Sequence, residues 1–186
     1  MAPTIFDIAL YVVVAAPLGG LTYCMLRRVR APAAFVRQVV IVALAIVFPV
    51  TVVAVAMPAR WATVLLIVMA EEAVRAWAVI RRPAALSARA LALTIGLLYG
   101  LIETTNWLFT TKARAAIVEP AMPGWGFVAA DVGYILTEFA AGLVIHGILT
   151  LIMVALYGKS RKSDGLWLAA MVNLVIHYTL NFALLS

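Results

Sequence analysis

The sequence is poor in charged residues and has almost no cysteine. Charged side chains make up 12% of the 186 residues, about half of the share usual in soluble globular proteins. Hydrophobic residues make up 66%, and this apolar excess excludes an ordinary soluble domain. The single cysteine, Cys24, excludes a disulfide framework and a cysteine-rich zinc site, so we expect it to pack as a structural residue.

The chain also lacks the short motifs of several enzyme classes. It has no His-Glu-x-x-His segment, so a zincin-like metalloprotease has no support. It has no Gly-x-Ser-x-Gly segment, so serine-nucleophile chemistry has none either. Basic residues outnumber acidic ones by 14 to 8, but they fall in short clusters between apolar runs, a pattern that does not indicate nucleic-acid binding.

What the sequence does contain is a series of apolar runs of about 20 residues, the length that crosses a bilayer core. They predict an all-α fold, a polytopic membrane bundle of about six transmembrane helices that forms a single domain over residues 1–186. The proline- and glycine-containing connector over residues 112–133 predicts a loop or a re-entrant segment. The predicted spans are Ile5–Leu26, Arg37–Met57, Trp61–Ile80, Arg89–Thr111, Tyr134–Tyr157 and Gly165–Leu185.

Basic residues are unevenly distributed among the connectors. The first, third and fifth connectors hold ten lysines and arginines, and the second and fourth hold three. The positive-inside rule therefore predicts that both termini lie outside, and we expect an integral protein of a prokaryotic cytoplasmic membrane. Because Arg27, Arg28 and Arg30 follow the first span, we expect that span to be retained rather than cleaved as a signal peptide.

Six ionisable residues lie well inside the predicted spans. Each costs roughly 2.5 to 3.5 kcal/mol at mid-bilayer on insertion scales, so we treat them as functional candidates. Four of them fall about 12 to 18 Å from the outer ends of their helices, which predicts a shared polar layer. The six are Glu71, Glu72, Arg75, Glu103, His146 and His177. Acids nearer to span ends or in connectors are expected to be solvated or interfacial: Asp7, Glu119, Asp131, Glu138 and Asp164.

Spacing within the spans refines these candidates. Arg75 follows Glu72 by three residues and Glu71 by four, so it can serve as counter-ion to either carboxylate. Because successive helical residues turn by about 100°, we expect the two acids to face different centres, one acting and the other orienting or packing. Asn181 lies one turn after His177, which suits metal binding or oxyanion stabilisation, while interhelical hydrogen bonding would also explain the pair.

Carboxylate and imidazole groups can activate water as general bases, or bind a divalent metal through nitrogen and oxygen. Hydrolysis is therefore the predicted reaction class.

Four short segments occur in order along the second half of the chain. They are Glu71-Glu72-Ala73-Val74-Arg75, Tyr99-Gly100-Leu101-Ile102-Glu103, His146-Gly147-Ile148-Leu149-Thr150 and His177-Tyr178-Thr179-Leu180-Asn181-Phe182. The ordered set resembles the motifs of PrsW-like intramembrane proteases, which form one superfamily with the type II CAAX prenyl endopeptidases and the Abi or bacteriocin-processing proteins. Glu103 stands where the CAAX branch has its first histidine, which favours the PrsW branch and disfavours prenylated substrates. Arg75 replaces the lysine common in that branch, and Tyr99 replaces a phenylalanine.

The resemblance implies an endopeptidase that cleaves a membrane-embedded or membrane-anchored protein. Asn181 would stabilise the oxyanion, and the implied cofactor is a divalent metal, taken to be zinc. The residues implied to surround the attacking water are Glu71, Glu72, Glu103, His146 and His177, and the implied metal ligands are the last four of these, Glu72, Glu103, His146 and His177.

Two other functions fit a buried polar layer. A non-catalytic scaffold or binding protein of the same fold would keep the layer as interhelical glue. A proton-coupled transporter could relay protons through buried Glu and His, although the sequence has no internal repeat and no paired broken helices.

Overall fold

The computed structural model describes residues 5–55, 60–105, 125–160 and 163–184. All regular secondary structure within these ranges is α-helical, which confirms the predicted all-α helical-bundle class. The six helices are α1 (Ile5–Arg28), α2 (Ala33–Val55), α3 (Arg60–Ile80), α4 (Ala88–Thr104), α5 (Trp125–Ser160) and α6 (Ser163–Leu184).

Three of these helices contain segments that are long and apolar enough to cross a membrane. The segments are Ile8–Arg28 in α1, Ala33–Val50 in α2 and Asp131–Gly158 in α5. The chain therefore has the character of a membrane protein. The number of six spans, the positions of the termini and the source membrane stay predictions.

The chain divides into two compact units, which are described separately. The first comprises Met1–Val29 and Ile95–Gly147, and so contains α1, most of α4 and the first part of α5. The second comprises Arg30–Thr94 and Ile148–Ser186, and so contains α2, α3, α6 and the remaining parts of α4 and α5. The single domain over residues 1–186 stays a prediction.

Local sequence explains where two of the helices end or begin. α1 ends at Arg28, and Arg30 has a left-handed backbone with a φ of 54°, a conformation common just after helices. Pro32 then follows, which is frequent one or two residues beyond such an end. α4 begins after Ser87, whose hydroxyl accepts a hydrogen bond of 3.1 Å from the amide of Ala90 and so caps the helix.

In the second unit, α3 packs against both α2 and α6. One face of α3 is buried at a spacing of three to four residues, through Val64, Val68 and Ala78. Glu72 and Arg75 fall on this same buried stripe rather than on a polar face. The packed face of α3 therefore carries charged groups directly into the core of the unit.

In the first unit, α4 and α5 approach so closely that only glycine fits between them. A Cβ on Gly96 would collide with the carbonyl oxygen of Leu143, and a Cβ on Gly100 would lie 2.8 Å from the carbonyl oxygen of Phe139. Small residues four apart permit such close backbone contact between membrane helices. The Gly96/Gly100 pair was not singled out in the sequence, although its spacing is the relevant signal.

The structure corrects the interpretation of the connector over residues 112–133. Residues 106–124 lie outside the described part, but Trp125–Gly133 is helical and forms the beginning of α5, which has 36 residues. After Pro123 no proline interrupts the sequence up to Ser160, so nothing in its composition breaks the helix there.

Two predictions about single residues were wrong. Asp131 was expected to be solvated, but it lies within α5 and is only 3% exposed, because the helix begins well before it. Cys24 was expected to pack, but its side chain is exposed on α1, a helix that is little buried. Asp164 is exposed, as expected for the first turn of α6.

Candidate functional site

The acidic pair of α3 is buried together with its arginine. Glu71 and Glu72 are each 4% exposed and Arg75 is fully buried. Nη1 of Arg75 donates a hydrogen bond to Oε1 of Glu72 within an ion pair. This is the i,i+3 pairing that the spacing predicted, and it compensates one of the two carboxylates.

His177 of α6, 1% exposed, joins this pair. Its Nδ1 is hydrogen-bonded to Oε1 of Glu72 at 2.8 Å, and its Nε2 lies 3.4 Å from Oε2 of Glu71. The two acids were expected to face different centres, yet they contact the same ring. An imidazole has a nitrogen on each of two edges, so two side chains separated by 100° around a helix can each reach one of them.

An ionised Glu72 would favour one tautomer of the ring. Because an ionised carboxylate only accepts hydrogen bonds, Nδ1 of His177 carries the hydrogen that Glu72 accepts. In the neutral ring Nε2 then presents a lone pair, and so does Oε2 of Glu71 at 3.4 Å.

The cluster combines buried groups of both charge signs. If both acids are ionised, Glu71 and Glu72 carry two negative charges against the single positive charge of Arg75. Buried charge persists where it is paired or bound to a metal. A proton on His177 would make the positive and negative formal charges of these four side chains equal.

A second acid and imidazole pair lies in the first unit. Nε2 of His146, which is buried on α5, lies 3.5 Å from Oε1 of Glu103 on α4. The side chain of Glu103 is 21% exposed, more than any other acid of the two clusters. The buried ring of Tyr99 stacks on the imidazole of His146, with centroids 4.1 Å apart and planes within 8°.

Several of these side chains have the donor atoms of a metal ligand. In the second unit, Glu71 and His177 offer a carboxylate oxygen and an imidazole nitrogen that could ligate a metal ion, and in the first unit the buried His146 offers a nitrogen of the same kind. Glu72, predicted as a ligand, accepts a hydrogen bond from Arg75 and contacts Nδ1 of His177, and its role as a ligand stays a prediction. A carboxylate that holds the far nitrogen of a ligating histidine is a recurring support in metal sites.

The structure thus brings Glu71, Glu72, Arg75 and His177 together in one unit, and Tyr99, Glu103 and His146 in the other. Their predicted convergence on one centre stays a prediction. Asn181 is half-buried on α6, one turn after His177.

Asn173, one turn before His177, was not among the predicted site residues. Asn173 is fully buried, and its Nδ2 donates a hydrogen bond of 2.7 Å to the carbonyl of Leu149, which joins α6 to α5. The signal was available, because Asn173 and Asn181 lie at equal distances on either side of His177. Only the resemblance favoured the second.

The chain matches no known protein-family model, and comparisons with curated proteins and with solved structures give no significant match. The PrsW-like resemblance therefore rests on its four ordered motifs.

Proposed function

We propose that this chain is a PrsW-like intramembrane endopeptidase, which hydrolyses a peptide bond of a membrane-embedded or membrane-anchored protein. The main support is the buried imidazole of His177, which lies between the carboxylates of Glu71 and Glu72. Ionisable groups inside membrane helices are costly and usually mark functional sites. A carboxylate and imidazole pair supplies the bases that hydrolysis of a peptide requires.

In this proposal Glu72 is a positioning residue. It holds Nδ1 of His177, and Arg75 in turn holds Glu72, so the ring and its tautomer are set before substrate binds. Nε2 of His177 and Oε2 of Glu71, which lie 3.4 Å apart, are the proposed acceptors for the hydrogens of the attacking water. As the water oxygen attacks the scissile carbonyl, one of these acceptors takes its proton.

The proposed role of the Glu103 and His146 pair is to protonate the leaving group. Cleavage of the carbon–nitrogen bond requires a proton for the leaving amine, and His146 is the proposed donor, oriented by Glu103. Asn181, with its amide donor one turn from His177, is the proposed stabiliser of the oxyanion. The reaction would balance, because the water hydroxyl adds to the carbonyl carbon and the amine leaves with a proton from His146; the base then releases the proton that it took from water, and His146 regains one from solvent.

A divalent metal fits the donor set. Carboxylate oxygen and imidazole nitrogen are ligand atoms for such an ion, and Oε2 of Glu71 lies 3.4 Å from Nε2 of His177. Glu71 and His177 are the residues of the second unit that would hold it, with Glu72 beside His177. When bound, an ion such as Zn²⁺ would polarise the carbonyl and make a water molecule a stronger nucleophile.

The proposed setting is a prokaryotic cytoplasmic membrane with both termini outside and the site open to the outer half of the bilayer. The proposed partner is a single-span membrane peptide, whose scissile bond would be shielded from bulk water.

The proposal is tested by cleavage of fluorogenic single-span peptides in proteoliposomes. We expect Glu72→Gln, His146→Ala and His177→Ala each to lower turnover by about 10²- to 10⁴-fold, the range for removing an acid or base. Asp164→Asn is the matched control, since it makes the same acid-to-amide change at an exposed position on α6 and should leave turnover unchanged.

Near wild-type turnover in all three variants would show that the site is assigned wrongly. A wild-type protein that folds but cleaves no peptide would favour the scaffold alternative. The metal is tested separately by the metal content of detergent-purified protein, with His177→Ala for comparison. We expect stoichiometric metal in the wild type and a clear loss in the variant; equal background levels in both would remove the metal from the proposal.

A further inference from the structure

Gly142 lies on α5 one turn before His146, at the point where Glu103 of α4 crosses the helix. A Cβ built on Gly142 would lie 2.9 Å from Cγ of Glu103 and 2.9 Å from Cα of Gly100. Both separations are shorter than real Cβ contacts allow. Helical residues four apart share a face, so the stem of Glu103 passes over Gly142 on its way to His146.

The close contact between α4 and α5 restricts the position of Glu103. Gly96 and Gly100 already bring the α4 backbone against the carbonyl oxygens of Leu143 and Phe139, so α4 has no room to adjust towards α5. Oε1 of Glu103 lies 3.5 Å from Nε2 of His146, which is already beyond an ordinary hydrogen bond. Even a small outward shift of Glu103 would therefore separate the pair.

We propose that Gly142 is a positioning residue whose missing side chain admits Glu103 to His146. The inference rests on the proposed function only in treating this pair as part of the catalytic machinery. The contact itself is a property of the first unit, and it can be measured without a substrate.

Gly133 provides a matched control on the same helix. A Cβ on Gly133 would meet nothing within 4 Å. Alanine is better than glycine inside a helix by roughly 0.5–1 kcal/mol, so Gly133→Ala should be neutral or slightly stabilising. Any effect that is seen in Gly142→Ala and not in Gly133→Ala is therefore caused by the surroundings of residue 142, and not by the glycine-to-alanine change itself.

The chain has only two histidines, so ¹⁵N-histidine labelling in detergent gives two imidazole spin systems, assigned with His177→Asn. At fixed pH we expect Gly142→Ala to shift the His146 nitrogens about as far as Glu103→Gln does, while Gly133→Ala shifts neither ring. A double-mutant cycle then decides the mechanism. In a Glu103→Gln background, Gly142→Ala should add little further shift.

Two results would overturn the inference: unchanged His146 signals in Gly142→Ala, or an equal shift whether or not Glu103 is present. If Gly142→Ala alone fails to fold, Gly142→Ala with Glu103→Ala is measured instead. Recovery of folding in this double variant supports a steric conflict with Glu103. Continued failure assigns the conflict to the Gly100 backbone and contradicts the proposal.

Cleavage is measured on the same variants to separate the two proposals. Loss of turnover in Gly142→Ala, with turnover retained in Gly133→Ala, supports both. The expected shifts in a protein without cleavage would leave the positioning role intact and contradict only the proposed function.

Discussion

The two acid and imidazole clusters use the same residue types but are held in different ways. Around His177 the ring nitrogens face two buried carboxylates, and one of those carboxylates is paired with Arg75. Around His146 the acid contact is longer and partly exposed, and a stacked Tyr99 and a glycine-lined helix crossing define the geometry. Charge pairing holds the His177 cluster in place, whereas close packing of helices and rings holds the His146 cluster.

The difference predicts which substitutions each cluster tolerates. A cluster held by charge is sensitive to the loss of one partner, because the other is left buried and uncompensated. A cluster held by shape is sensitive to added volume, because close-packed backbones cannot yield. The same conservative change should therefore be severe in one unit and mild in the other.

The largest effect is expected at Arg75. Arg75→Leu leaves Glu72 buried without its ion-pair partner and should lower the free energy of unfolding by about 3–5 kcal/mol. Arg75→Lys should cost less, because it keeps the charge. Thermal unfolding in detergent measures both, with Arg81→Leu as an exposed arginine control. If Arg75→Leu were as stable as the control, charge would not be what holds this cluster.

The helix crossing should give a smaller effect. Gly96→Ala and Gly100→Ala add volume where the Leu143 and Phe139 carbonyls leave none, and each should cost about 1–3 kcal/mol. Gly19→Ala, where a Cβ meets nothing within 4 Å, is the control, and the same unfolding measurement compares them. An unchanged free energy of unfolding in both Gly96→Ala and Gly100→Ala would contradict the view that close helix packing determines the geometry of the first unit.

The smallest effect is expected at Asn173. Asn173→Leu removes the hydrogen bond to the Leu149 carbonyl, and interhelical bonds of this kind in membrane proteins average about 0.6 kcal/mol. Thr179→Val is a suitable control, because its hydroxyl donates to Val175 within the same helix and joins no second element. Equal losses of unfolding free energy in the two variants would indicate that the Asn173 hydrogen bond does not stabilise the contact between α6 and α5.

The sequence predicted the features that depend on spacing along one helix. The six helices follow from the apolar runs, and the Arg75–Glu72 pair follows from the i,i+3 spacing. The burial of both histidines follows from their positions deep inside apolar runs. In each case the controlling physics is local or concerns a single helix in an apolar setting.

Features that depend on two helices were not predictable in this way. No pattern in the sequence assigns Glu72 to Nδ1 and Glu71 to Nε2 of His177, since this depends on how α6 is rotated against α3. The burial of Asp131 depends on the start of α5, which the glycines and prolines of the preceding connector obscured. The role of Gly142 depends on a side chain from another helix.

The stacked tyrosine has a consequence for the direction of chemistry at His146. With a parallel ring 4.1 Å above it, one side of the imidazole plane is shielded from solutes. A reactant that approaches from that side must engage the nitrogens at the ring edge, in the plane where their lone pairs and N–H bonds lie. Tyr99 would thus block one face of the His146 ring, so that protons are exchanged at the edge of the ring.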